Sequence, residues 1–138
     1  FITMLFKCVI FAFGMKRPRD TDWQARLATL DTASLPVYTV LIPMYREAES
    51  LPGMLAAMAA MDYPAAKLDI KLLLEADDDE TLDAAGALKP SYQFDIIRVP
   101  PGEPRTKPKA CNYGLRFARG EYLTIFDADD RPDPLQLK

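Results

Sequence analysis

The sequence contains no histidine and only two cysteines in 138 residues. Without histidine, any acid–base chemistry must use carboxylates, lysine, tyrosine or cysteine. Cys8 and Cys111 lie far apart, with neither the spacing of a metal site nor the density of a disulfide scaffold. A reducing, cytoplasmic setting is therefore expected. The net charge of −3 gives no sign of bulk nucleic-acid binding, so we expect no nucleic-acid partner.

Glycine-rich phosphate loops are also absent from the expected place. Neither a Gly-x-Gly-x-x-Gly nor a Gly-x-x-x-x-Gly-Lys pattern follows the first predicted strand. The usual dinucleotide-binding and P-loop classes are thereby excluded. A bound phosphate would have to be held by a metal ion or by lysine and arginine side chains.

The chain begins inside an apolar run, FITMLFKCVIFAFGM, which is followed by the basic sequence KRPR. We interpret the chain as a fragment and residues 1–19 as a partial transmembrane or membrane-proximal segment, with the basic flank on the cytoplasmic face. A buried helix or strand is the alternative. Residues 20–34 are predicted to form an amphipathic juxtamembrane helix, whose apolar side carries Trp23, Leu27 and Leu30.

From Leu35 onward, predicted strands alternate with predicted helices. The strands are VYTVLIP, LDIKLLLEA, FDIIRVP and EYLTIFD, and the helices begin near Ser50, in ETLDAAGAL and in KACNYGLRFA. This alternation predicts an α/β fold with a mostly parallel, doubly wound, Rossmann-like sheet and flanking helices. Ligands on such sheets bind outside the carboxyl ends of the strands.

Charged residues are concentrated at those carboxyl ends. The first strand ends in PMYRE, the second in EADDD, the third in the basic loop PPGEPRTKP, and the fourth in DADD. Asp127 and Asp129, at positions i and i+2, are expected to point the same way, while the small Ala128 points elsewhere and leaves room for a ligand. Hard cations such as Mg²⁺ or Mn²⁺ take such oxygen ligands together with phosphate oxygens. A solvated acidic turn that caps a following helix is the alternative.

Four motifs occur in order: LPVYTVLIPMYRE, LLLEADDDET, KPKACNYGL with a later RG, and YLTIFDADDRPDP. Together they resemble the N-terminal, donor-binding half of a family 2 glycosyltransferase, over residues 35–138. These are inverting enzymes with the GT-A fold, in the broad group that includes cellulose synthase and chitin synthase. The resemblance implies a nucleotide-diphospho-sugar donor, expected to be a UDP-sugar, a Mg²⁺ or Mn²⁺ ion, and a polysaccharide, glycan or lipid acceptor. The apolar N terminus agrees with the membrane-bound branch.

The resemblance also implies which residues bind the nucleoside. Tyr45 and Glu47 match the segment that packs against the base and ribose, with Pro43 just before it. Glu75 and Asp77 stand where an early carboxylate of the family accepts a hydrogen bond from uracil. The sequence departs from the family here, because Glu75 and the alanine after it replace two usual aspartates.

A second group of residues is implied to bind the diphosphate. Lys107 and Asn112 match the family's Lys…Asn pair near the diphosphate, at the start of the third helix. Arg105 and Lys109, in the same basic segment, are expected to be solvated.

The DADD segment matches the family's Asp-x-Asp motif. Asp129 is implied to be the direct metal ligand, with Asp127 at the metal and the ribose or sugar, Ala128 beside the donor, and Asp130 in a supporting role. The acidic general base and the acceptor-binding half are expected downstream of Lys138.

Two other classes of function stay open. Phosphatases of the haloacid dehalogenase type also carry an Asp-x-Asp motif after an apolar strand, but Asp130 stands at their Thr/Val position and the motif comes last here. A non-catalytic nucleotide-sugar or partner-binding domain would share the fold without the chemistry.

Overall fold

The structure, a computed structural model, describes Lys7, Ala25, Leu27 and residues 29–138. Within this part, Asp31–Lys138 forms a compact unit. The predicted membrane segment, apart from Lys7, and about half of the predicted juxtamembrane helix lie outside the described residues; Ala25 and Leu27, which are described, are helical. Residues 29–34 form turns instead of the predicted end of that helix. No helix in the described part of the chain is long and apolar enough to cross a membrane.

Strands and helices alternate along the compact unit as predicted. The strands are β1 (Tyr38–Met44), β2 (Leu68–Glu75), β3 (Asp95–Val99) and β4 (Tyr122–Ile125). The helices are α1 (Leu51–Ala59), α2 (Asp79–Leu88) and α3 (Lys107–Gly114), with short 3₁₀ turns at Ala65–Lys67 and Leu115–Phe117. Every strand and helix predicted after Leu35 is confirmed to within a few residues. The third helix starts two residues early and ends in a 3₁₀ turn.

The four strands form one parallel sheet in the order β3-β2-β1-β4. The chain moves outward from β1 to β3 and then returns to the other side of β1 to form β4. A doubly wound sheet changes direction in this way, and the change leaves a crevice at the carboxyl ends of β1 and β4. The predicted fold class is confirmed, and the crevice is where a ligand is expected.

The central strands β1 and β2 are covered on both faces, whereas the edge strand β4 is largely exposed. Val40 and Ile42 of β1 belong to the apolar cluster that includes α1 and α2, whereas Leu41 packs on the opposite face with Leu73 and Val99 beneath α3. Burial on both faces explains why the central strands are apolar at consecutive positions. Full burial of each such side chain contributes about 1.5–3 kcal/mol to the free energy of unfolding.

Two of the helices begin beside the crevice with side-chain caps. The Asp78 carboxylate accepts a hydrogen bond from the Thr81 backbone N–H at 3.3 Å at the start of α2. The Thr106 hydroxyl accepts one from the Lys109 backbone N–H at 3.4 Å at the start of α3. These caps fix where both helices begin. Because each helix follows the carboxyl end of a strand, its N terminus lies at the carboxyl edge of the sheet.

The amino end of the sheet holds a charged network that the sequence motifs did not single out. Asp69 is buried, and its carboxylate lies 2.8 Å from Lys71 Nζ and 2.6 Å from Arg119 Nη2. The Thr39 hydroxyl donates to the same carboxylate at 2.9 Å and accepts from the Gly120 backbone N–H at 2.8 Å. Lys71 also contacts Asp95 at 2.6 Å. This network ties the first residues of β1, β2 and β3 to the segment that enters β4.

Candidate active site

A cavity of about 180 Å³ opens at the carboxyl ends of β1 and β2, beside the start of α3. Its lining includes five of the predicted donor-binding residues, namely Pro43, Tyr45, Glu47, Glu75 and Lys107. Arg105 and Thr106 complete its charged and polar side. Residues from three separate motifs thus meet at one point, as the rule for parallel sheets predicts.

A larger cavity, of about 240 Å³, lies elsewhere, between α1 and the start of β2. Met58, Tyr63 and Tyr92 contribute to its lining, which contains no charged side chain. Its size does not make it the better candidate, because it lies away from the strand ends and offers no group that would hold a phosphate. We therefore place the site at the charged cavity.

Lys107 and Asp127 join the two halves of the crevice. Lys107 Nζ lies 2.9 Å from Asp127 Oδ1, and the two side chains are 56% and 48% exposed. The hydrogen bond to Asp127 raises the pKa of Lys107 most; desolvation acts in the opposite direction, and the charges of Asp127, Glu47 and Asp129 raise it further. The ammonium group of Lys107 is therefore paired with Asp127 and also lies in the electrostatic field of Glu47 and Asp129.

The acidic loop after β4 is held by two hydrogen bonds between Asp127 and Asp130. The Asp127 N–H donates to the Asp130 carboxylate at 2.7 Å, and the Asp130 N–H donates to the Asp127 carbonyl at 3.0 Å. Ala128 points into the apolar core beside Phe126, whereas Asp129 is exposed. Ala128 therefore points away from Asp129, as expected. The methyl group of Ala128 is committed to the core, so this residue can offer a donor only its backbone.

Asp127 and Asp129 provide the oxygen donors that Mg²⁺ and Mn²⁺ prefer. Among the described residues, no three His, Cys, Asp or Glu side chains converge closely enough to hold a metal ion by themselves. The donor set fits an ion that is bound by one or two carboxylates and completed by phosphate oxygens and water. It does not fit a cage built from protein ligands alone.

Arg105 is exposed, as expected, but it is also paired with side chains at the site. Its Nη1 lies 2.7 Å from Asp77 Oδ2 and donates to Tyr45 Oη at 2.9 Å. Its guanidinium carbon lies 5.7 Å from the centre of the Tyr45 ring, and that of Arg46 lies 5.1 Å from the same centre. Cations at this range are attracted to the face of an aromatic ring. Arg105 thereby links the ends of β1 and β2 to the loop after β3.

Lys109 is also engaged, which corrects the expectation that it is solvated. Its Nζ lies 3.1 Å from Glu75 Oε2 and 3.0 Å from the Gly102 carbonyl oxygen. Glu75 is buried, and a buried carboxylate without a cationic partner is strongly unfavourable. Both carboxylates proposed to read the base, Glu75 and Asp77, therefore already have cationic partners. The sequence carried only part of this signal: the basic loop and the acidic EADDD segment each follow a strand, and the structure shows that these two strands are neighbours.

Asn112 is not brought into the cavity. It is exposed on α3, five positions after Lys107, and five helical positions are about 140° apart around the helix axis. The predicted Lys…Asn pair therefore does not point at a single spot in this structure. Lys107 alone of the pair lines the cavity.

The turn after β1 contains a further contact that the motifs did not reveal. Arg46 has a positive φ of 56°, a left-handed conformation that is uncommon for residues other than glycine. Its backbone N–H donates to the Asp78 carboxylate, which also caps α2. Burial acts to raise the pKa of Asp78, but the hydrogen bonds from Arg46 and Thr81 outweigh it and lower that pKa. Asp78 thus fixes the turn that carries Tyr45 and Glu47.

Comparison with known proteins identifies the family to which the chain belongs. The sequence pattern of the family described as "Glycosyl transferase family 2" matches residues 39–138. The "Probable glycosyltransferase YdaM" of Bacillus subtilis is 30% identical over 105 residues, which cover 75% of this chain and 25% of that protein. A dolichyl N-acetyl-alpha-D-glucosaminyl phosphate 3-beta-D-2,3-diacetamido-2,3-dideoxy-beta-D-glucuronosyltransferase of Methanococcus voltae is 28% identical, over 72% of this chain and 31% of that protein.

A solved structure is similar as well. The mannosyltransferase PcManGT from Pyrobaculum calidifontis, in complex with GDP-Man and Mn²⁺, superposes with a TM-score of 0.63 at 30% sequence identity. The superposition covers 83% of this chain and 32% of that one. The chain thus spans between a quarter and a third of the length of the proteins it matches.

Proposed function

The chain belongs to glycosyl transferase family 2, and we propose that it forms the donor-binding part of an enzyme that transfers a sugar from a nucleotide-diphospho-sugar. One observation carries the proposal most directly. Lys107 and Asp127, from two motifs that are distant in sequence, meet at 2.9 Å beside a cavity lined by Tyr45. At this crevice the ammonium group of Lys107 can bind a diphosphate, and the carboxylate of Asp127 can bind a divalent ion that accompanies it.

Different residues would bind the base, the diphosphate and the metal ion of the donor. Tyr45 offers a ring face for the base, and Arg105 offers guanidinium donors beside it. Lys107 and the N terminus of α3 provide positive charge for the diphosphate. Asp127 and Asp129 would hold Mg²⁺ or Mn²⁺, which when bound offsets the charge that develops on the leaving nucleoside diphosphate.

We expect the transfer to invert the configuration at the sugar's anomeric carbon. Inversion requires a carboxylate that deprotonates the acceptor hydroxyl on the face opposite the leaving group. We assign no described residue to that role. Asp127 and Asp129 are proposed as metal ligands, and Glu75 and Asp77 are paired with cations.

The acceptor is proposed to be a glycan, a polysaccharide or a lipid-linked sugar. The name of the Methanococcus voltae relative contains a dolichyl phosphate, which supports the lipid-linked class. We also propose that the protein associates with a membrane and that its donor site faces the cytoplasm, on the basis of the apolar run before KRPR. Retention of the full-length protein in membranes after high-salt and carbonate washing would support this; release into the soluble fraction would contradict it.

The test of the donor is a titration of UDP, GDP and CDP into the full-length protein with Mn²⁺ present. We expect UDP to bind most tightly, because a carboxylate at the end of β2 can accept a hydrogen bond from the uracil N–H. A preference for GDP would indicate that Arg105 recognises the base, because its guanidinium group can donate to the O6 and N7 acceptors of guanine. Absence of binding by all three would contradict the proposed function.

Binding without sugar transfer to any acceptor would favour the non-catalytic alternative. The phosphatase alternative has lost its support, because the family match from residue 39 to residue 138 includes the DADD segment.

A further inference from the structure

Lys107 occupies an unusual position for a diphosphate-binding lysine. Its ammonium group does not project freely into the cavity but contacts Asp127 at 2.9 Å, close enough to Glu47 and Asp129 to be attracted by both. Asp127 and Asp129 are the carboxylates proposed to hold the divalent ion. The lysine therefore stands where an incoming cation would need the charge of Asp127.

The two cations compete for the same oxygen atoms. A divalent ion that binds Asp127 directly must displace the ammonium group or bind beside it, and like charges a few ångströms apart repel each other. Asp129, which is exposed, has no salt bridge in the described structure. A metal without nucleotide would thus find one free carboxylate and one that is already neutralised.

Lys107 is also free to change partners. Its side chain is 56% exposed, and an exposed ion pair of this kind is worth only a few-fold in an equilibrium constant. Lys71, at the opposite end of the sheet, is different, because its side chain is only 4% exposed and lies between Asp69 and Asp95. A diphosphate arriving at the start of α3 would offer Lys107 two negative charges within reach of its flexible stem.

We propose that Lys107 is a partner-exchange residue: it neutralises Asp127 in the empty site and moves to the diphosphate when the donor binds, which releases Asp127 for the divalent ion. This inference rests on the proposed function and adds a coupling to it. Nucleotide and metal then strengthen each other's binding, by equal factors as thermodynamic linkage requires. Lys107 contributes part of the coupling free energy between nucleotide binding and metal binding.

The experiment measures Mn²⁺ affinity in the full-length protein by electron paramagnetic resonance of free Mn²⁺, without nucleotide and with saturating UDP or GDP. It compares the wild type with Lys107→Met and with Lys89→Met. Lys89 is exposed at the end of α2, so its substitution removes the same charge far from the site. Lys107→Gln serves as a second variant, and melting temperatures establish that all the proteins are folded.

Lys107→Met is expected to raise the affinity for Mn²⁺ alone by about three- to five-fold, because the ion no longer competes with the ammonium group for Asp127. It should weaken nucleotide binding and reduce the factor by which nucleotide improves Mn²⁺ affinity. Lys89→Met should match the wild type. The exchange is overturned if Lys107→Met leaves the affinity for Mn²⁺ alone unchanged or lowers it, or if Lys89→Met raises it equally. A wild-type protein that binds neither UDP nor GDP with or without Mn²⁺ would instead remove the proposed function, and the exchange with it.

Discussion

The two ends of the sheet use charge in opposite ways. At the amino end, Asp69 is buried and is surrounded by Thr39, Lys71 and Arg119. At the carboxyl end, Asp127 is about half exposed and forms a salt bridge with Lys107 alone. Removing one partner from a buried network is costly, whereas a single exposed pair can be exchanged at little cost. The amino end therefore stabilises the fold, and the carboxyl end is free to respond to a ligand.

The arginines differ in how they are bonded and not in exposure, because the Arg119 side chain is 70% exposed and that of Arg105 is 37% exposed. Arg119 donates to Asp69 through both Nε and Nη2, at 2.9 Å and 2.6 Å, and its backbone N–H donates to that carboxylate as well. Arg105 donates to Tyr45 and contacts Asp77, both of which face the cavity edge. An arginine with two-pronged contacts to a buried carboxylate is fixed in place. An arginine between two partly exposed partners can offer its donors to a base.

The strongest test of this contrast is Asp69→Asn. Loss of the carboxylate leaves the buried ammonium group of Lys71 with Asp95 alone, and breaking a buried pair costs about 3–5 kcal/mol in the free energy of unfolding. Urea denaturation would measure the loss, and nucleotide affinity of the folded fraction should not change. Asp95→Asn is the matched control, because the Asp95 side chain is 50% exposed, and we expect a much smaller loss. Equal losses for the two variants would contradict the expectation that the burial of Asp69 sets the cost.

Acid should remove the contribution of Asp69 to stability. Burial acts to raise the pKa of Asp69, but the hydrogen bonds from Lys71, Arg119 and Thr39 outweigh it and lower that pKa. A carboxylate with a lowered pKa in the folded state contributes stability that is present above its unfolded pKa of about 3.9 and is lost as pH falls toward the folded value. Urea unfolding between pH 7 and pH 3 should thus show declining stability below about pH 4. Asp69→Asn should flatten part of that decline; an unchanged slope would assign it to other carboxylates.

A smaller effect is expected from Arg105→Lys at the carboxyl end. Lysine retains the charge but lacks the planar group that contacts Asp77 and the Tyr45 hydroxyl together. We expect nucleoside diphosphate affinity to fall by about five-fold, with the melting temperature unchanged within about 2 °C. Calorimetric titration would measure the affinity. Arg98→Lys, an exposed position on β3, is the control and should have no effect. A lower melting temperature with normal affinity would make Arg105 a structural residue.

Much of the fold could be predicted because the sequence repeats one signal. Apolar stretches such as VLIP in β1 and LLL in β2 are buried on both faces, and helices with clear starts separate them. The carboxyl-edge motifs followed from the same pattern, since parallel strands place their ends together. Residues close in sequence to a strand end, such as Tyr45 and Asp127, were therefore found at the site.

Contacts between distant segments could not be predicted in the same way. The pairing of Asp69 with Arg119 spans 50 positions, and that of Arg105 with Tyr45 spans 60. Both depend on the order of strands in the sheet and on the path of a loop, which the local sequence does not determine. The partners of Arg105 and Lys109 were missed for this reason. A polar pair at alternate positions of β2, Asp69 and Lys71, was the visible sign that one face of that strand needed charged partners.

The central claim is that the carboxyl end binds a nucleoside diphosphate through a divalent ion at the acidic loop. Its most direct test is binding of UDP and GDP with and without Mn²⁺, in the wild type and in Asp129→Asn, together with the melting temperature of each protein. The account predicts that Mn²⁺ strengthens wild-type binding, that Asp129→Asn loses most of that gain, and that its melting temperature stays the same, because Asp129 is exposed and lies beyond the end of β4. Binding that is indifferent to Mn²⁺ in the wild-type protein, or a destabilised Asp129→Asn variant with normal Mn²⁺-dependent binding, would contradict it.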